Sequence, residues 1–112
     1  MIEWYHNLYM DSEVARSPEM YKQIAESGKL HITPVYCIAI ASNEANLLDI
    51  ISSNELYFKY YKRNTLHVIG IAASYKTALG LTSDILLEVY QKTNTFDIRS
   101  FVKSETGSGC DS

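Results

Sequence analysis

The groups that could do chemistry in this chain fall in three short stretches: Asp11 and Ser12, Ser42 and Asn43, and Ser74, Tyr75 and Lys76. Together they supply a carboxylate, hydroxyls, an amide, a phenol and an ammonium. Such a set suits a small anionic ligand. Ser74 and Asn43 would donate hydrogen bonds, Lys76 would add charge, and Asp11 is the only candidate general base. Each stretch follows a segment that reads as a strand and opens one that reads as a helix. In a parallel sheet the carboxyl ends of the strands share one edge, and ligands bind there. Helix N-termini at that edge also present free N–H groups, which favour an anion. The same residues have a second reading: Ser42, Asn43 and Ser74 are good helix caps, each worth about 1 kcal/mol of stability.

The other reactive side chains form no recognisable constellation. His6, His31 and His67 are far apart, and none shares an i, i+4 spacing with another ligand type, so no metal site is expected. Cys37 sits in an apolar run and reads as an inert core thiol. Cys110 lies in a polar tail, and a bridge between the two is not expected. No Gly-rich loop follows any strand, so no nucleotide fingerprint and no cofactor is indicated.

The cluster YFKYYKR, residues 57–63, interleaves aromatics with cations. Tyr57, Tyr60, Tyr61, Lys62 and Arg63 form a candidate partner interface, since tyrosine and arginine are favoured anchors. Part of the cluster must face the core if it is helical. Stacking on nucleic-acid bases is the weaker reading in a chain of formal net charge -3.

These residues need a scaffold, and the periodicity supplies one. Residues 2–10 read as an aromatic-rich strand with Trp4, His6, Leu8 and Met10 on one face. Residues 11–27 read as a helix kinked or restarted at Ser17-Pro18-Glu19 and stopped by Gly28. A second strand follows Pro34 and is apolar on both faces, as in a strand covered on both sides. Residues 43–62 read as a helix in two pieces, broken near a capping box at Ser52 and Glu55. Residues 65–73 give a third apolar strand, with Gly70 marking a close approach. Ser74 caps a long amphipathic helix whose apolar face includes Tyr75, Ala78, Leu79, Ile85 and Val89, ending at Asn94. Residues 96–102 alternate like an edge strand.

The resulting order is βαβαβαβ. It predicts an α/β fold with a small, mostly parallel sheet of three to four strands and helices on both faces. Residues 1–102 would make one domain, and 103–112, rich in Gly and Ser, a disordered tail. The hydrophobic fraction is 46%, without a run of about 18 apolar residues, so a membrane partner is not expected. The N-terminus lacks a secretory pattern. A cytoplasmic protein is the expectation.

The segments "ASNEANLLDII", "HVIGIAASYKTAL" and "LLEVYQKTNTFDIRSF" resemble those of a group of small bacterial proteins of unknown function and about this length. The resemblance spans roughly residues 4–102 and implies a bacterial, stand-alone cytoplasmic domain. It brings no active-site residue with it. The functional expectation is a protein-interaction or regulatory module, a homo-oligomer or the partner of another protein. Its rival is a binder of, or enzyme on, a small anionic ligand at the strand-end turns.

Overall fold

The computed structural model describes residues 2–41, 47–57 and 65–102. The described chain runs β1 (Ile2–Met10), α1 (Ser12–Arg16), α2 (Pro18–Glu26), β2 (Tyr36–Ile40), β3 (Leu48–Ser52), a 3-10 turn (Glu55–Tyr57), β4 (Leu66–Ala72) and α3 (Tyr75–Thr93), with residues 98–102 helical. None of the described helices is long and apolar enough to cross a membrane.

The four strands form one mixed sheet in the order β1-β4-β2-β3. β1 runs parallel to β4, while β2 is antiparallel to both β4 and β3. This corrects the expected βαβαβαβ order and mostly parallel sheet. The source of the difference is residues 48–52. Leu48, Ile50 and Ile51 read as one side of a helix, yet they pair with β2, with Ile50 against Ile38 and Ile51 against Cys37. A short apolar run fits either period, and here pairing with an apolar strand decides it. The expected capping residues still interact: Glu55 Oε2 accepts from the Ser52 N–H at 2.8 Å, but they open only a single 3-10 turn.

The expected edge strand at 96–102 is also replaced, by a helical turn over 98–102. Asp97 caps it, accepting from the backbone N–H of Ser100 at 3.2 Å and from its hydroxyl at 2.7 Å. Local bonds of this kind compete with strand pairing. Ile98 and Phe101 turn inward as a result.

Other elements form where the sequence places them. Pro18 starts a new helix, and the Ser17 N–H at the break returns to the Val14 carbonyl at 3.0 Å. Gly28 ends that helical region with φ +68°. Ser74 and Thr77 form a reciprocal capping box on α3, and Asn94 closes it in the left-handed conformation.

The sheet is covered on both sides. Val14, Ala25, Val35, Cys37, Ala39 and Val68 pack on the side of α1 and α2, and Ile38, Ile69, Ile85, Val89 and Phe101 on the side of α3. This is why β2 and β4 carry no polar face. Two irregularities shape the sheet. Ile38 pairs with Gly70 but Ala39 pairs with Val68, leaving Ile69 as an extra residue in β4. Trp4 pairs with Val68 and Tyr9 with Gly70, so β1 advances five residues while β4 advances two. Residues 5–8 therefore loop out of register along a sheet edge, yet the alternation expected for β1 survives at its packed positions. Trp4 and Leu8 pack toward one layer, Tyr5 and Tyr9 toward the other.

Candidate functional site

Because β1 and β4 are parallel neighbours, with Met10 beside Ile71, their carboxyl ends meet. Two of the three expected turns therefore come together: Asp11-Ser12 and Ser74-Tyr75-Lys76. The third does not join them in the expected way. β2 ends at Ile40, one residue past the Ala39–Val68 pair, so it leaves the sheet toward the amino end of β4. Ser42 and Asn43 themselves lie outside the described residues.

Asp11 organises the junction. Its Oδ1 accepts from the Val14 N–H at 2.8 Å and so caps α1. Its Oδ2 accepts from the Ala73 N–H at 2.9 Å and from the Thr77 hydroxyl at 2.6 Å. Burial pushes the Asp11 carboxyl upward. The hydrogen bonds from Thr77, Val14, Ala73 and Glu13 outweigh it and hold the pKa below the usual carboxylate value. A carboxylate so engaged is a poor proton acceptor near neutral pH. It also brings a negative charge to the start of α3, the place where a bound anion would gain most from the helix end.

The neighbouring side chains are arranged around this staple. Ser74 spends its hydroxyl on the Thr77 N–H, at 3.2 Å. Ser12 and Lys76 are exposed. Tyr75 is exposed and stands edge-on to Tyr36, ring centres 5.9 Å apart. Thr77 was not singled out from the sequence. The signal was present, since Ser74 and Thr77 stand in capping-box spacing, but nothing in the sequence ties that box to Asp11.

Of the proposed partner cluster, Tyr57 closes the 3-10 turn, and Tyr60, Tyr61, Lys62 and Arg63 lie outside the described residues. The histidines stay apart: His6 sits edge-on to Tyr5, His31 contacts the Ser27 hydroxyl, and His67 is 3.6 Å from Glu3 on the surface.

Two surfaces emerge that the sequence reading did not isolate. One is a groove of about 740 Å³ along the looped-out part of β1, reaching Lys22 of α2 on one side and Glu88 and Lys92 of α3 on the other. The other is the outer flank of α3, where Leu79, Leu87 and Tyr90 are half exposed and Phe96 stacks on Tyr90 with ring centres 5.0 Å apart. The sequence period places Tyr75 and Leu79 on the apolar face of this helix with Ala78, Ile85 and Val89, yet both are half exposed. The inner contacts of the helix are made by Ala78, Ile85 and Val89. No family model, no curated protein and no solved structure matches this chain.

Proposed function

We propose that the protein is a small interaction module that works as a homodimer, joined through the outer flank of α3. The observation that carries this reading is that α3 is apolar on two sides. One side is buried against the sheet through Ala78, Ile85 and Val89; the other presents Leu79, Leu87 and Tyr90, at 50%, 56% and 44% exposure. A helix with a second apolar strip beside its buried one is suited to a partner on that side.

The pattern fits a second copy of the same helix. Laid antiparallel with a two-fold axis at Ser83, Leu79 of one copy meets Leu87 of the other, and Gly80 meets Leu86. Such self-complementarity is what an isologous contact requires. Gly80 supports the same arrangement. A Cβ there would meet nothing within 4 Å in the single chain. A glycine inside a helix costs about 1 kcal/mol relative to alanine, and the isolated subunit gains no contact from it. A closely approaching helix would. The stripe from Leu79 to Tyr90 rises about 16 Å along the axis, while Asp84 and Glu88 fall on another side of the helix.

The rival reading, a small anionic ligand at the strand-end turns, is weakened by Asp11, whose oxygens are already held by Val14, Ala73 and Thr77.

Sedimentation equilibrium tests the proposal. The wild-type chain should be dimeric at micromolar concentration, and Leu87→Asp should be a folded monomer. On a Cys110→Ser background, Ser83→Cys should form an intermolecular disulfide under mild oxidation. A wild-type chain that stays monomeric at high micromolar concentration would overturn the reading.

A further inference from the structure

The groove along β1 has an arrangement of charge that the fold alone does not call for. On α2, Lys22 and Glu26 stand four apart, a spacing at which opposite charges can pair. Glu26 instead accepts from the Trp4 indole N–H at 2.9 Å, and the Lys22 ammonium lies 5.6 Å from the Trp4 ring centre. On α3, Glu88 and Lys92 repeat the spacing and the diversion. Glu88 accepts from the Tyr9 hydroxyl, and the Lys92 ammonium lies 5.8 Å from the Phe101 ring centre. On both sides of the sheet edge, then, the carboxylate is drawn to an aromatic donor and the lysine is turned over a ring that lines the groove. Lys92 makes no ion pair among the described residues, and Lys22 keeps only a 3.9 Å contact to the largely exposed Glu19.

We propose that this groove binds a small organic anion with a planar body. Its anionic group would be taken by Lys92, with Lys22 at the far end, and its plane would lie on the aromatic wall beside the looped-out residues of β1. A volume of about 740 Å³ is of the size that holds small ligands. Both lysines line the groove, each beside an aromatic ring that lines it too, so a planar anion could meet charge and ring face together. Glu88 is the opposing charge in the lining, and its bond to Tyr9 fixes it at the β1 side, which leaves the Lys92 end for the anion. Strand bulges are frequent beside functional sites, where they re-aim side chains.

Trp4 is the single tryptophan of the chain and lines the groove, so its emission reports occupancy. The full-length protein is titrated with adenosine monophosphate and with benzoate, exciting at the red edge of the tryptophan band. Inorganic phosphate and adenosine serve as controls for charge alone and plane alone. At least one of the two planar anions should shift the emission saturably at millimolar concentration or below, with both controls at least tenfold weaker. Lys92→Ala should weaken binding about tenfold, and Lys76→Ala, on the same helix but outside the groove, should not change it. Thermal melts establish that both variants are folded. No saturable change with either anion, equal binding of phosphate or of adenosine, or a Lys92→Ala variant that binds as the wild type would each overturn the proposal.

Discussion

The Asp11 carboxylate accepts a hydrogen bond from the Thr77 hydroxyl at 2.6 Å, joining residues 66 positions apart. Through the same side chain the end of β1, the start of α1, the end of β4 and the first turn of α3 are tied at one point. Removing it leaves the Val14 and Ala73 N–H groups without their acceptor. Asp11→Ala should therefore cost about 2–3 kcal/mol, the loss of a cap plus a cross-element bond. Urea denaturation followed by circular dichroism measures it. A cost under about 0.5 kcal/mol, within the range of ordinary surface changes, would show that the junction is held by packing alone.

The same carboxylate predicts a pH dependence. Its folded pKa is lowered, because hydrogen bonds to the ionised form outweigh the upward push of burial. A depressed folded value means the contribution is present in full above the unfolded pKa, about 4. It is lost as the pH falls through the folded value. Wild-type stability should thus fall more steeply than that of Asp11→Asn as the pH is lowered from about 5 to 3. Equal slopes for the two proteins would remove Asp11 as a source of acid sensitivity.

Ser53 is the one buried polar residue among those described. Its hydroxyl accepts from the Val35 N–H at 3.1 Å, and its own N–H donates to the Val35 carbonyl at 2.7 Å. Ser53→Ala keeps the second bond and abandons a buried donor. The expected cost is about 1–3 kcal/mol. Ser53→Thr, if its hydroxyl keeps the bond, should recover part of it. Thermal unfolding of the pair decides whether the bond or the small volume matters.

Much of this was legible in the sequence where one local signal sufficed. Pro18, Gly28, Ser74 and Asn94 each mark a helix end by their own backbone or side-chain chemistry. The apolar runs of β2 and β4 foretold strands covered on both sides. What failed needed information about neighbours. Residues 48–52 are a strand only because β2 offers an apolar edge to pair with. The antiparallel direction of β2 against β4 leaves no mark in either strand's composition. The candidate site divided the same way: the Ser74 cap was readable, but Thr77 reaching Asp11 was not. The β1 groove depends on a register shift between Trp4 and Tyr9, which no pattern in β1 alone announces.

Cys37 is fully buried, and burial pushes its thiol up to about 12. Its thiolate is therefore essentially absent at neutral pH, and the thiolate is the reactive form. In a Cys110→Ser background the folded protein should resist iodoacetamide, with labelling appearing only through the urea transition. Mass spectrometry along that transition follows it directly. Rapid labelling without denaturant would mean that the layer containing α1 and α2 opens readily.

Gly70 sits where β4 is pressed between two isoleucines from different elements. A Cβ built there would lie 3.2 Å from Ile38 Cδ1 and 3.3 Å from Ile85 Cδ1. Both neighbours are ends of flexible side chains, so one methyl can be accommodated by small shifts. An alanine also recovers some of the entropy that glycine forfeits in a strand. Gly70→Ala should therefore change stability by no more than about 1 kcal/mol. Gly70→Val adds a branch with nowhere to go, since Ile38 is held by β2 and Ile85 by α3, both fully buried. It should destabilise by about 2–3 kcal/mol. Pairing Gly70→Val with Ile85→Val should restore part of the loss, because the second change removes the methyl that the first one meets. Restoration by Ile85→Val but not by a distant core change such as Ile51→Val would locate the strain at the contact between β4 and α3. An unrestored double variant would instead place it in the β-bulge at Ile69, where the backbone rather than a side chain limits the space.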